Sequence, residues 1–205
     1  MPSICVLLPV NCFSVNNYEY IIASLPVPGK DDAKLDAEAL IAAVRSQCSP
    51  SDNALIDILL DGFDSDKLSE AFYSSAYRSR NAFIREFLLF DLKLRNTKVE
   101  YLNKALGRPA GLDLMPLPSG ADAEFFEKSK AESILALKDI LGRERGLDDL
   151  MWAKADSLVQ LHVFDIDIIH SYIVKFKIID RCNRLDPQTG RELFRRLVQE
   201  IRNTR

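Results

Sequence analysis

The sequence predicts an all-α protein, a multi-helix bundle in two lobes, and three observations carry that prediction. Apolar residues recur at helical spacing along most of the chain, as in LDAEALIAAVRSQC and NALIDILLDGF, with capping residues ahead of them. The eight glycines are few, and Gly62, Gly107, Gly111, Gly120, Gly142 and Gly146 sit between apolar runs, where a helical protein uses them as stops. The longest periodic stretch, Asn81 to Leu106, keeps Phe83, Phe87, Phe90, Leu94 and Tyr101 on one stripe and Ile84, Leu88, Val99, Leu102 and Leu106 on a second.

Taken in order, residues 1–17 read as a weakly ordered lead. Their apolar run has no basic residue before it and is interrupted by Pro9, which makes a poor signal peptide. The segment NYEYIIASLP is too short to separate strand from helix, and Pro26 ends it. The helix from Asp36 closes at Ser49-Pro50, where Ser49 suits the cap and Pro50 the first turn of the next helix. Asp64 or Ser65 is expected to cap DKLSEAFYSSAY. The long helix then completes a first lobe spanning 18–106.

Residues 107–121, rich in glycine and proline, form the expected linker to a second lobe at 122–205, packed on the first. There Asp122 is expected to cap AEFFEKSKAESILALKDIL, and Gly142 and Gly146 to break the pattern before LDDLMWAKADSLVQLHVF. A further helix covers Ile166 to Cys182. The last helix opens at Asp186-Pro187 and carries Leu193, Phe194, Leu197, Val198 and Ile201 as one stripe, opposite a face of arginine and glutamate.

With 47% hydrophobic residues the chain can bury a core, and a net charge of −3 with both signs mixed argues against electrostatic capture of nucleic acid. The arginines near the C-terminus, Arg191, Arg195, Arg196, Arg202 and Arg205, are interrupted by Glu192 and Glu200 and have no interleaved aromatics, so a solvated face explains them. Cys5, Cys12, Cys48 and Cys182 form no CxxC pair, consistent with a reduced cytoplasmic chain. No run approaches the roughly 18 to 20 apolar residues that span a bilayer.

Chemistry has few candidates. Asp91 and Arg95, spaced i,i+4, project between the two stripes of the long helix, where an unpaired charge is costly, so the two are expected to pair. The cluster His162, Asp165, Asp167 and His170 resembles a metal site in composition, yet on one continuous helix its side chains scatter around the axis. Asp165 or Asp167 acting as a helix cap is the simpler account. The common nucleotide, hydrolase and metalloprotease motifs are absent, which favours a protein that works by binding, with no cofactor.

Three segments, Tyr18 to Pro26, Phe87 to Asn96, and Phe164 to Asp167 leading into Tyr172 to Lys175 and Ile179 to Arg181, are together similar to a family of bacterial proteins, mostly uncharacterised. Those proteins accompany V-type ATP synthase subunits and resemble the central-stalk subunit called C or d. The resemblance implies an all-α, non-catalytic rotor adaptor or accessory subunit, in the cytoplasm and peripheral to the inner membrane through its complex. Its implied partners are the central shaft and the membrane ring. Because the chain is much shorter than the well-studied subunit, a reduced or accessory form is implied. For that role, Asp91, Arg95 and Asp165 are expected to form one structural ion-pair network at the junction of the lobes. The rival readings are a free-standing helical interaction scaffold and a metal-dependent hydrolase using Asp91, Asp165 and His162.

Overall fold

The computed structural model describes residues 17–30, 32 and 35–184. These residues form eight α-helices and a short 3-10 turn at Ser65–Lys67, with no strand among them. The N-terminal lead up to residue 16 and the helix expected from Asp186 lie outside the described residues. Four short helices come first: α1 (Tyr18–Ser24), α2 (Ala37–Arg45), α3 (Pro50–Asp61) and α4 (Glu70–Tyr77). The long α5 (Ala82–Ala105) follows, then α6 (Lys128–Leu135), α7 (Ile140–Leu158) and α8 (Ile166–Arg184).

Local chemistry explains most boundaries. Ser49 and Asp52 form a reciprocal capping box at the start of α3, with Pro50 in the first turn as expected. Asp64 caps the 3-10 turn, whereas Ser69 caps α4, so the expected single helix from Asp64 is two elements. The Asn81 side chain accepts from Ile84 N–H and opens α5. The undecided segment near residue 20 is helical, capped by Asn17.

Two expectations fail in the second half. Asp122 only closes an exposed turn onto Glu124, and α6 begins later, without a side-chain cap. Gly142 and Gly146 do not break the chain; both lie inside α7. A Cβ on Gly146 would sit 2.7 Å from Ile134 Cγ2, so this glycine lets α6 and α7 approach closely. Asp139 caps the same helix through the N–H groups of Leu141 and Gly142.

The packing also redraws the two lobes. One core gathers Ile21, Ile41, Ile56 and Leu59 around Phe83, Phe87, Leu88 and Leu92 of α5, and it includes Ile169, Ile173, Val174 and Phe176 of α8. A smaller core joins Phe90 and Leu94 of α5 to Ala131, Leu135, Leu147 and Leu150 of α6 and α7. Thus α5 belongs to both cores, and α8, expected in the second lobe, closes the first. The boundary at 107–121 divides the sequence but not the packing.

Residues of that linker are strapped to the bundle. Asn96 donates to Met115 C=O at 2.7 Å and accepts from Met115 N–H at 3.0 Å, Asn103 donates to Leu112 C=O at 2.6 Å, and Tyr77 Oη donates to Gly120 C=O at 3.0 Å. Gly107, Gly111 and Gly120 adopt φ of 64°, 82° and 82°, the left-handed turns that this tight path requires.

Directions within the bundle follow from side-chain contacts. α6 runs with α5, since Phe125 meets Phe90 and Lys128 reaches Glu100 further along. α7 runs against α5: Lys154 lies over Phe90 near one end, and Glu144 meets Lys98 toward the other. α8 turns back beside both, starting where Asn81 donates to Asp167 and ending where Arg181 meets Asp148 and Glu144.

Candidate functional site

At the seam where α5, α7 and α8 meet, two buried carboxylates, Asp91 and Asp148, are each paired with a half-exposed arginine. On α5, Asp91 is flanked by Phe87, Phe90 and Leu94 and is only 4% exposed. Such a carboxylate needs partners. Tyr73 Oη donates to its Oδ2 at 2.6 Å and Arg95 Nε donates to the same oxygen at 2.7 Å. Burial, with the Asp91 charge adding to it, pushes the Tyr73 hydroxyl far above the usual phenol range, so it remains a donor. For Arg95, burial works against the charge, but the Asp91 carboxylate outweighs it and holds the guanidinium protonated.

Across the cleft, Asp148 of α7 is also buried. Arg181 of α8 donates to its Oδ1 at 2.5 Å and lies 3.5 Å from Glu144, which in turn pairs with Lys98 of α5 at 3.1 Å. A chain of charges therefore runs from α8 through α7 to α5. Burial raises the Asp148 carboxyl above its ordinary value, and the Arg181 hydrogen bond only partly offsets this. Burial and the neighbouring Asp148 raise the Cys182 thiol, whose sulfur lies 3.5 Å from that carboxylate.

Between these two groups lies a cavity of about 120 Å³ lined by Asp91, Arg95, Lys98, Glu144, Asp148 and Arg181, among others. Sites for organic ligands usually enclose several hundred Å³. A space this size suits a few waters or a small ion, and its charged walls already pair with one another. The arrangement is well built to fix the register of three helices.

The expected network is therefore half present. Asp91 and Arg95 pair, but Asp165 is elsewhere: its carboxylate caps α8, accepting from Asp167 N–H at 3.1 Å and Ile168 N–H at 3.3 Å, and it bonds to His162. The start of α8 is tied to Asn81, ten residues before Asp91, or about 15 Å along α5. The sequence did not reveal Tyr73, Asp148, Glu144 or Arg181. One signal was present: Asp148 stands between Leu147 and Leu150 on the buried stripe of α7, as Asp91 does on α5.

The histidines sit at the corner joining α7 to α8. α7 ends at Leu158, so the assumption of one continuous helix fails and His162 turns toward Asp165. His162 Nδ1 is 3.9 Å from Asp167, and the fully buried His170 has its Nδ1 3.4 Å from Asp167 while its ring lies 5.5 Å from Phe83. Burial raises the Asp167 carboxyl, but His170 and the Asn81 amide outweigh that and bring it below its ordinary value. The groups form a string and not a shared coordination sphere. Among the described residues no set of three or more such side chains is placed to hold a metal. The hydrolase constellation of Asp91, Asp165 and His162 is not assembled.

Around the corner, Leu161 is 94% exposed, and Val163 and Phe164 also face solvent. No helix among the described residues is long and apolar enough to cross a membrane.

In comparison with known proteins, residues 120–204 match the model of a family described as "Protein of unknown function (DUF2764)". No curated protein and no solved structure matches the chain.

Proposed function

We propose that this chain is a non-catalytic adaptor, a central-stalk or accessory subunit of a bacterial V-type ATPase. In this role it holds the shaft and the membrane ring in fixed relation, from the cytoplasmic side. The observation that carries the reading is the α7–α8 corner: Leu161, Val163 and Phe164 are presented to solvent on a turn pinned by Asp165, His162 and Asn81 to the end of a charge-locked helical rod. Exposed apolar residues on a rigid support suit protein docking, because little ordering is required on binding. The paired charges of the seam suit an element that must keep helix register under load, and the small cavity leaves little room for an organic substrate.

The test is capture from the native cell with the tagged full chain. The adaptor reading expects V-type ATPase rotor subunits to be recovered, and their yield to fall at least about tenfold with Leu161→Ser and Phe164→Ser combined. Consistent absence of rotor subunits, with other proteins recovered through the same corner, would favour the free-standing scaffold.

A further inference from the structure

The turn between α4 and α5 and the corner between α7 and α8 meet at one end of the bundle. Asn81, which opens α5, donates to Asp167 in the first turn of α8, and Asp165, next to Phe164, caps that helix. Arg78 and Arg80 lie on the α4–α5 turn, three residues and one residue before Asn81, and both are exposed. Neither side chain has a hydrogen bond or an ion pair among the described residues.

The acids built into the same end are occupied. Asp165 holds His162, Asp167 takes the Asn81 amide and faces His170, and Glu86 pairs with Arg85. The exposed tip of Leu161, Val163 and Phe164 therefore stands beside two uncompensated cations, on a chain whose net charge is −3. Local positive charge on a net acidic chain orients a negatively charged partner toward this end. Two cations are few for an anionic bilayer, which is typically recognised by clusters of about four to eight. They suit a protein surface, where an arginine at the edge of an apolar contact can grip a carboxylate through two N–H groups.

We propose that Arg78 and Arg80 bind carboxylates of a protein partner whose apolar recess receives Leu161, Val163 and Phe164, so that this end of the bundle selects an acidic surface. This choice of partner rests on the reading of the corner as a docking surface. A photo-crosslinking residue, p-benzoylphenylalanine, placed at the exposed position 163 of the full chain and irradiated in the native cell, tests it. Expected is a cross-link to a protein segment in which Asp and Glu outnumber Lys and Arg. Arg78→Glu with Arg80→Glu should lower its yield about tenfold, and changing two acids of that segment to lysine should restore it. The unfolding midpoint of the double variant should match the parent, because neither arginine side chain is bonded within the described fold. Whether the cross-linked protein is a rotor subunit decides the adaptor reading separately. Cross-links to a neutral or basic segment, to a second copy of the chain or to lipid alone would overturn the proposal. So would the absence of any cross-linked protein, or a yield that charge reversal leaves unchanged.

Discussion

The two halves of α5 meet very different surroundings. From Phe83 to Leu92 one face belongs to the larger core, which draws on six other helices, with Phe87 stacked between Phe83 and Phe63. From Leu94 to Leu106 the same helix is held by Lys98–Glu144 and Lys128–Glu100 and ends with exposed leucines. The first half is held mainly by apolar packing, and the second by the edge of the smaller core together with ion pairs and the Asn96 and Asn103 hydrogen bonds. Stability should therefore concentrate near residue 87, while the exposed distal end is more tolerant of change.

That contrast can be tested by denaturant unfolding. Phe87→Ala should cost about 3–5 kcal/mol, whereas Leu94→Ala, in the smaller core, should cost about 2–3 kcal/mol. Equal losses would erase the distinction. At the junction of the halves, Asp91→Ala should cost about 3 kcal/mol, because it leaves the Tyr73 hydroxyl enclosed and unpaired, while Tyr73→Phe should cost only about 1 kcal/mol.

Between α6 and α7, Gly146→Ala brings a Cβ against Ile134 Cγ2, a stiff β-branched methyl, which opposes the helix-propensity gain. A net loss of about 1 kcal/mol is expected, and it should shrink in the background of Ile134→Ala. The smallest effect concerns acid. The Asp167 carboxyl sits below its ordinary 3.8 in the folded chain, so its contribution is fully present above that pH and is lost as pH falls through the folded value. Asp167→Asn should therefore be less stable than the parent at pH 6, with the gap closing below pH 3.8 in urea titrations.

Much of this architecture was legible in the chain. Ser49-Pro50, Asn81 and Gly107-Arg108-Pro109 mark boundaries by local chemistry, and local chemistry is what a sequence displays. Gly146 misled because its role is set by Ile134 on another helix, a contact without any sequence spacing. Asp165 reads in two ways from the chain, and the structure separates them: it caps α8, as its position suggests, and does not join Asp91 and Arg95, because the nearer N–H groups take its carboxylate. The Asp91–Arg95 pair was readable because both partners share one helix. The Asp148–Arg181 pair was not, since its members lie 33 residues apart on α7 and α8.

The central claim is that the enclosed charges hold helices and do no chemistry. Replacing them together, Asp91→Leu, Arg95→Met and Tyr73→Phe, and then measuring both the unfolding midpoint and the capture of rotor subunits, tests it most directly. The account predicts a chain about as stable as the parent or more so, with capture unchanged, because well-packed apolar groups can stand in for a structural ion pair. A variant that stays equally stable yet loses its partners or its function in the cell would contradict it.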